Sequence, residues 1–304
     1  QEVCPTYQVT NNEENVARGR NRLVRLALEN KLDLDNEPEI EKLINECLLC
    51  KACEVSCPSS VPTPDIITAI RTHYTKKKGL PLAKKIMYRG VFSKNKNVDL
   101  MRSLGRIYQK TGIHKLVKLT GIMNRTDEML PPLPKKNVRN QLPSLLKDLP
   151  NPDHKVAYFL GCSVNNFFSS IGIASIKVLQ ENNVQVVVPE VNCCGAPHIS
   201  AGDEEEYRRL AKLNLKELGS LDVEAIIFDC STCGSIIQEY QELFKDDPEY
   251  KKLAEQVADK VRDISSYLIS IGYKKDMGTV SARVTYHDPC HGVRFLKVKE
   301  EPRE

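Results

Sequence analysis

Four cysteines at the spacing Cys47-x2-Cys50-x2-Cys53-x3-Cys57, followed by Pro58, constrain this chain more tightly than any other feature. Two-residue spacers let one tight loop carry three thiolates to three corners of a cubane 4Fe-4S cluster while its amides point toward the sulfides. Ala52 is small enough to let such a loop close. Zinc sites more often come as two separated Cys-x2-Cys pairs, and disulfide frameworks do not favour this spacing ahead of a proline. The run therefore predicts an iron-sulfur loop. Cys4-Pro5 reads as the end of a second copy, with Gln1-Glu2-Val3 as the three-residue spacer before its last cysteine. On that reading the sequence opens inside a motif, as a fragment does. In two-cluster arrangements the last cysteine of each run ligates the other cluster. The expected ligands of one 4Fe-4S cluster are thus Cys4, Cys47, Cys50 and Cys53, and Cys57 is assigned to a second cluster whose other ligands would precede Gln1.

The chain holds 11 cysteines and no tryptophan in 304 residues. That count is odd, and a chain of this size does not need disulfide staples, so metal binding in a reducing, cytoplasmic compartment is the expectation. Charged residues at 28% and hydrophobic ones at 41% describe a soluble globular protein of about two domains. No apolar run is long enough to span a bilayer, and no charged stretch followed by an apolar core suggests a secretory signal. The net charge of +4, from 44 basic and 40 acidic residues, is too even to argue for nucleic acid.

Helices are expected over 11–31, with Val16, Leu23, Ala27 and Leu28 on one face, over Glu37 to Leu49, and from near Asp65 after the turn Val61-Pro62-Thr63-Pro64. Residues 71–125 carry fifteen Lys or Arg against one acid, Asp99. With Leu100, Leu104, Ile107, Ile113, Leu116 and Val117 at helical intervals, this stretch reads as short basic amphipathic helices that would meet an anionic membrane or an acidic partner face. Residues 126–152, with Pro131-Pro132-Leu133-Pro134, read as an extended linker. Beyond Lys155, β-prone runs at Val156 to Leu160, Val184 to Val188, Ala225 to Phe228 and Val284 to Tyr286 alternate with helical patterns at Glu204 to Leu218 and Ser235 to Phe244. The fold class is therefore α+β overall: a helical N-terminal part, then an α/β unit on a mostly parallel sheet. The end at Glu304, shortly past the last expected strand, reads as a further unit begun and cut.

A second cysteine set lies in the α/β part: Cys162, Cys193-Cys194-Gly195, Cys230-x2-Cys233-Gly234, and Cys290 in His287-Asp288-Pro289-Cys290. Each follows an expected strand, and loops after the carboxyl ends of parallel strands converge on one edge, where such folds place ligands. Buried structural thiols are the bland alternative. His198, His287 and His291 stand near these thiols, and hydrogen bonding is a commoner role for a turn histidine than metal ligation. No GxGxxG, Walker loop or GxSxG occurs, and no paired carboxylates stand out, so no catalytic residues are assigned. Metal ligands without acid-base or flavin-binding machinery describe an electron conduit.

Together these motifs resemble the iron-sulfur subunits of membrane-associated flavin oxidoreductases, most closely the glycolate oxidase iron-sulfur subunits. The residues carrying the resemblance are Cys4-Pro5-Thr6-Tyr7, Arg18-Gly19-Arg20, the run from Cys47 to Pro58, Cys193-Cys194-Gly195-Ala196-Pro197-His198, Cys233-Gly234 with Glu239-Tyr240, and Val261-Arg262-Asp263-Ile264-Ser265. The CCG region is shared with lactate utilisation proteins and with the cysteine-rich subunits of anaerobic glycerol-3-phosphate dehydrogenase and heterodisulfide reductase. The resemblance implies a truncated ferredoxin-type 4Fe-4S domain at 1–75, a basic helical segment and linker at 76–152, a first cysteine-rich CCG domain at 153–280 and the start of a second at 281–304. It also implies 4Fe-4S clusters in the ferredoxin domain, an additional iron-sulfur cluster at the CCG cysteines, and FAD only on a partner subunit. That subunit would oxidise a 2-hydroxy acid, glycolate or lactate, and this chain would pass electrons toward a quinone or another carrier, peripheral to the inner face of the cytoplasmic membrane. The competing readings are a heterodisulfide reductase-like subunit whose CCG cysteines reduce a disulfide, and a zinc protein whose basic segment binds nucleic acid.

Overall fold

The computed structural model describes residues 2–111, 131–276 and 278–304. The N-terminal part is helical and packs on a small core of Val24, Ile40, Ile44, Ile67 and Tyr74. Its first long helix spans Ala17–Leu28 rather than starting at residue 11, because the Asn12 side chain caps a separate 3-10 turn, Glu13–Asn15. The buried stripe of that helix runs through Arg20 and Val24, while Leu28 faces solvent. The next helix, Pro38–Asn45, opens with proline in its first turn and buries Ile40 and Ile44. It ends short of Leu49, where the cysteine loop begins. A third helix, Thr63–Lys78, places Asp65 in its first turn and Lys76, Lys77 and Lys78 in its last, as the helix dipole favours.

Four parallel strands form the sheet of the C-terminal part: β1 (His154–Tyr158), β2 (Val184–Val187), β3 (Ala225–Phe228) and β4 (Val261–Asp263), in the order β2-β1-β3-β4. Val156 pairs with Val186 on one side and Ala225 on the other. Side chains alternate between two cores, as the period of a strand requires. Ala157, Phe159, Ile226 and Phe228 join the helices Glu204–Gly219, Ser231–Gln238 and Lys251–Lys260 on one face. Val156, Tyr158, Leu160, Ala225 and Ile227 meet Ile176 and Leu179 of the helix Ser169–Glu181 on the other.

Three expectations need correction. Val284 to Tyr286 is not a strand: Val284 is 89% exposed, and the fourth strand is Val261–Asp263, formed directly after a helix and paired with β3. Residues 131–152 do not run as a free linker, because Val138 and Leu145 are buried in the second core beside Val156 and Val184. In the basic segment, the helix Asn95–Lys110 buries Val98 and Arg102 and turns Leu100, Leu104 and Ile107 outward. Ile113, Leu116 and Val117 lie outside the described residues. Among the described residues no helix is long and apolar enough to cross a membrane.

The two parts are in close contact. Gly202, at φ +80, brings its backbone so near Arg71 that a Cβ there would lie 2.3 Å from the Arg71 carbonyl carbon. The C-terminal stretch 278–290 is largely exposed and leads to a π-helical turn, His291–Leu296, that packs on the helix Ser231–Gln238.

Candidate metal centre

Residues 47–53 form a loop in which Leu49 and Lys51 adopt left-handed conformations, at φ 54 and φ 56. Such conformations are uncommon outside glycine and asparagine. Turns of this kind can gather successive backbone N–H groups into anion-binding concavities, as at many iron-sulfur sites. The loop and the N-terminal turn enclose one small cavity, bordered by Cys4, Cys47, Cys50 and Cys53 together with Thr6, Arg20 and Ala52. Cys57 is not among its walls. It sits beyond the short helix Ala52–Val55, where the backbone N–H groups of Val61, Ser59 and Ser60 hold its thiol below the ordinary range. Burial alone would raise the Cys4 thiol, but the Thr6 hydroxyl, the N–H groups of Tyr7 and Thr6 and the Arg20 charge bring it down. Burial wins at Cys53, which is raised.

At the carboxyl edge of the sheet, Cys162 follows β1, the Cys193-Cys194 pair follows β2, and Cys230 follows β3 as the N-cap of the helix Ser231–Gln238. Their thiols interact in succession: Cys162 with Cys193, Cys193 with Cys194, Cys194 with Cys233, and Cys233 with Cys230. Five sulfurs from three strand ends thus form one connected line. The hydrogen bond from Cys233, with the N–H groups of the helix N-terminus, pulls Cys230 down to about 6. Hydrogen bonds from Cys193 and Cys233 likewise lower Cys194, while Cys233, buried and with its one S–H between Cys194 and Cys230, is raised. Cys162 is also raised, by its hydrogen bond to Cys193 and by burial. The line therefore joins groups that favour the thiolate, Cys194 and Cys230, to groups that keep their proton.

The CC pair is anchored from behind. Asn214 Nδ2 donates to the Cys193 carbonyl at 3.0 Å, and the Tyr240 hydroxyl donates to the Cys194 carbonyl at 2.7 Å. Gly195 follows at φ +92, against Tyr207, where a Cβ would come within 2.5 Å of the ring. Cys290 does not join the line among the described residues. It precedes the His291–Leu296 turn, which reaches the helix of Cys230 through a 2.7 Å hydrogen bond between His291 Nδ1 and Ser235 Oγ. His291 is thus a hydrogen-bonding residue stacked on Phe295, His287 is exposed, and His198 is buried against Ser93 and Asp203, its pKa lowered chiefly by that burial.

The cysteine loop and the C-terminal part meet at a cavity of about 910 Å³, walled by Cys47, Lys51 and Arg71 on one side and Pro197, Tyr207, Thr232 and Phe295 on the other; the five thiols of the CCG line are not in its wall. Three contacts join the two parts here: Lys51 to Glu239 at 3.2 Å, Arg294 to the Cys50 carbonyl at 2.9 Å, and Arg71 to the Ser200 carbonyl at 2.7 Å. Nothing in the cysteine spacing points to Arg71 or Arg294, which are brought in by tertiary structure alone. Arg20 is visible in the sequence only as part of the Arg18-Gly19-Arg20 resemblance.

The residues fit an iron-sulfur cluster. Four thiols, the number a cubane cluster takes, border one cavity. Arg20, in that cavity wall, keeps its Nη2 buried without a partner, as a group does that awaits an anion.

Comparison with known proteins agrees. Residues 1–61 match the 4Fe-4S dicluster domain, 79–132 the linker region of glycolate oxidase iron-sulfur subunits, and 156–238 the cysteine-rich CCG domain. A probable glycolate oxidase iron-sulfur subunit of Bacillus subtilis (strain 168) is 31% identical over 99% of this chain and 71% of its own length. An uncharacterized iron-sulfur protein of Methanococcus maripaludis is 29% identical over 93% of the chain, which spans only 48% of that relative. Lactate utilization protein A of Shouchella clausii is 32% identical over 48% of the chain and 62% of its own length. No solved structure matches.

Proposed function

The chain belongs to the glycolate oxidase iron-sulfur subunit family, and we propose that it is the electron-transfer member of a flavin-dependent 2-hydroxy-acid oxidoreductase. A separate FAD-bearing subunit would oxidise glycolate or lactate, and this chain would carry the electrons toward quinone or another acceptor. The observation that carries the reading is the packing of the cysteine loop against the C-terminal part that holds the CCG cysteines, within one chain: Arg294 donates to the Cys50 carbonyl and Lys51 pairs with Glu239. Cys4, Cys47, Cys50 and Cys53 would hold one 4Fe-4S cluster, Cys57 would serve a second, and the line from Cys162 to Cys230, with Cys290 nearby, would hold a further iron-sulfur group. Such clusters supply one-electron chemistry when bound.

The chain's own residues do the positioning. Arg71 and Arg294 fix the cysteine loop by its carbonyls, Asn214 and Tyr240 fix the CC pair, and Leu48, Leu49, Pro64 and Ile199 line the space between with apolar surface. The exposed face of the helix Asn95–Lys110 would rest on an anionic membrane from the cytoplasmic side. The test is dye reduction by glycolate or lactate with the anaerobically reconstituted chain, alone and with its flavin subunit. Activity is expected only with both, and substrate oxidation by the chain alone would overturn the reading.

A further inference from the structure

Two guanidinium groups in the N-terminal part are buried with no acid to balance them. Arg20 is 1% exposed and Arg71 is 5% exposed. Arg20 donates to the carbonyls of Leu43 (2.8 Å) and Asn15 (2.6 Å) and lies 3.3 Å from Thr6 Oγ1. Arg71 spends its donors on the carbonyls of Ile44, Asn45, Cys47 and Ser200. Neither meets a carboxylate within ion-pair distance among the described residues, whereas Arg89 has Asp203 and the equally buried Arg102 has Asp99. The two cations also repel each other. A buried, unpaired charge is costly, and a pair of like charges is costlier.

Both converge on the cysteine cage. Arg20 forms part of its wall beside Cys4, and Arg71 donates to the Cys47 carbonyl at 2.6 Å. The missing counter-charge is therefore on the cage side. Four thiolates around a cluster carry net negative charge, and that charge grows by one when the cluster takes an electron from its donor.

We propose that Arg20 and Arg71 are the buried counter-charges of the cluster held by Cys4, Cys47, Cys50 and Cys53, placed to favour its reduced form and so to raise its potential. This rests on the cluster assignment made above. Both are positioning residues in this role: they act on the cage through space and through its carbonyls, and they offer it no ligand. Hydrogen bonds into the cage and local charge are the means by which a protein sets a cluster potential.

The experiment is an EPR-monitored redox titration of the full chain, reconstituted anaerobically, as wild type and as Arg20→Gln, Arg20→Lys, Arg71→Gln and Arg71→Lys, with iron content measured in parallel. Each Gln variant should shift the one-electron equilibrium at least tenfold toward the oxidised form, a fall of about 59 mV, and each Lys variant should shift it much less. Gln variants that keep the cluster at an unchanged potential overturn the proposal. If the Gln variants hold no cluster, recovery of cluster in the Lys variants supports it, and loss in both overturns it in favour of a role in hydrogen bonding alone. A wild-type chain that takes up no iron overturns the cluster assignment itself, and this proposal with it.

Discussion

Cys57 completes an unbroken motif in the sequence, yet it stands outside the cavity that Cys47, Cys50 and Cys53 share with Cys4, more than forty residues upstream. A short helix, Ala52–Val55, separates it from the loop, and the N–H groups of Val61, Ser59 and Ser60 engage its thiol instead. Cys4→Ser and Cys53→Ser are therefore expected to lose most of the iron bound in this cage, whereas Cys57→Ser should keep nearly all of it. Iron content and the reduced EPR signal of the three variants in the full chain check the ranking. Loss in Cys57→Ser with retention in Cys4→Ser would rule out the crossover. At this scale the ligand candidates are legible in the sequence because thiol chemistry needs specific residues at specific spacings. The arginines are not: Arg71 reads there as one cation in a basic stretch, and only the fold puts it under Cys47.

Among the elements, the two parts of the chain approach closely at Gly202, in the turn that joins the short helix Ala196–Ser200 to the helix Glu204–Gly219. Its φ of +80 costs a side-chain-bearing residue about 1–2 kcal/mol, and a Cβ would also collide with the backbone of Arg71, which cannot swing aside as a side chain can. Gly202→Ala should lower stability by more than the backbone term alone and loosen the Arg71 to Ser200 contact, seen as a lower denaturant midpoint and faster proteolysis between the two parts. An unchanged midpoint would mean that the parts are not docked in this way. The elements themselves are legible where the pattern is strong. The run at β3 and the buried end of β1 are apolar on both faces, as buried parallel strands are, β2 alternates at the sheet edge, and each lies within a residue or two of its expected bounds. β4 escapes a sequence reading because it is only three residues long and buries only Val261, so it has no period to show. Val284 to Tyr286 has β-branched and aromatic residues but no neighbouring strand to pair with among the described residues, and strand propensity without a partner yields extended, exposed chain.

For the molecule as a whole, the uneven distribution of charge matters more than the near-balanced total. Part of the basic stretch is paired within the chain. Lys76, Lys77 and Lys78 pair with Glu204, Asp35 and Glu41, Arg89 pairs with Asp203 and Glu205, and Arg102 pairs with Asp99, so the charge of these cations is partly offset within the chain. Among the described residues, Lys84, Lys85, Lys94, Lys96 and Lys110 have no such acid. They share their segment with the outward-facing Leu82 and Ile86 and with Leu100, Leu104 and Ile107. Cations beside exposed aliphatic side chains suit an interface where lipid headgroups are anionic and acyl chains begin. Each lysine near such a surface contributes about 1 kcal/mol, so five would make binding strong at low salt and weak once the Debye length shrinks to a few ångströms. The expected outcome is flotation of the chain with phosphatidylglycerol vesicles at low ionic strength, little flotation with phosphatidylcholine vesicles, and release of most of the protein by about 1 M salt. Replacing Leu100, Leu104 and Ile107 together by serine should weaken flotation without changing its salt dependence, because it removes the apolar contribution and leaves the charges in place. Equal binding to neutral and anionic vesicles, unaffected by salt, would exclude the electrostatic mechanism. Absence of binding to anionic vesicles at low salt would remove the membrane from the account altogether and leave the basic face to a protein partner.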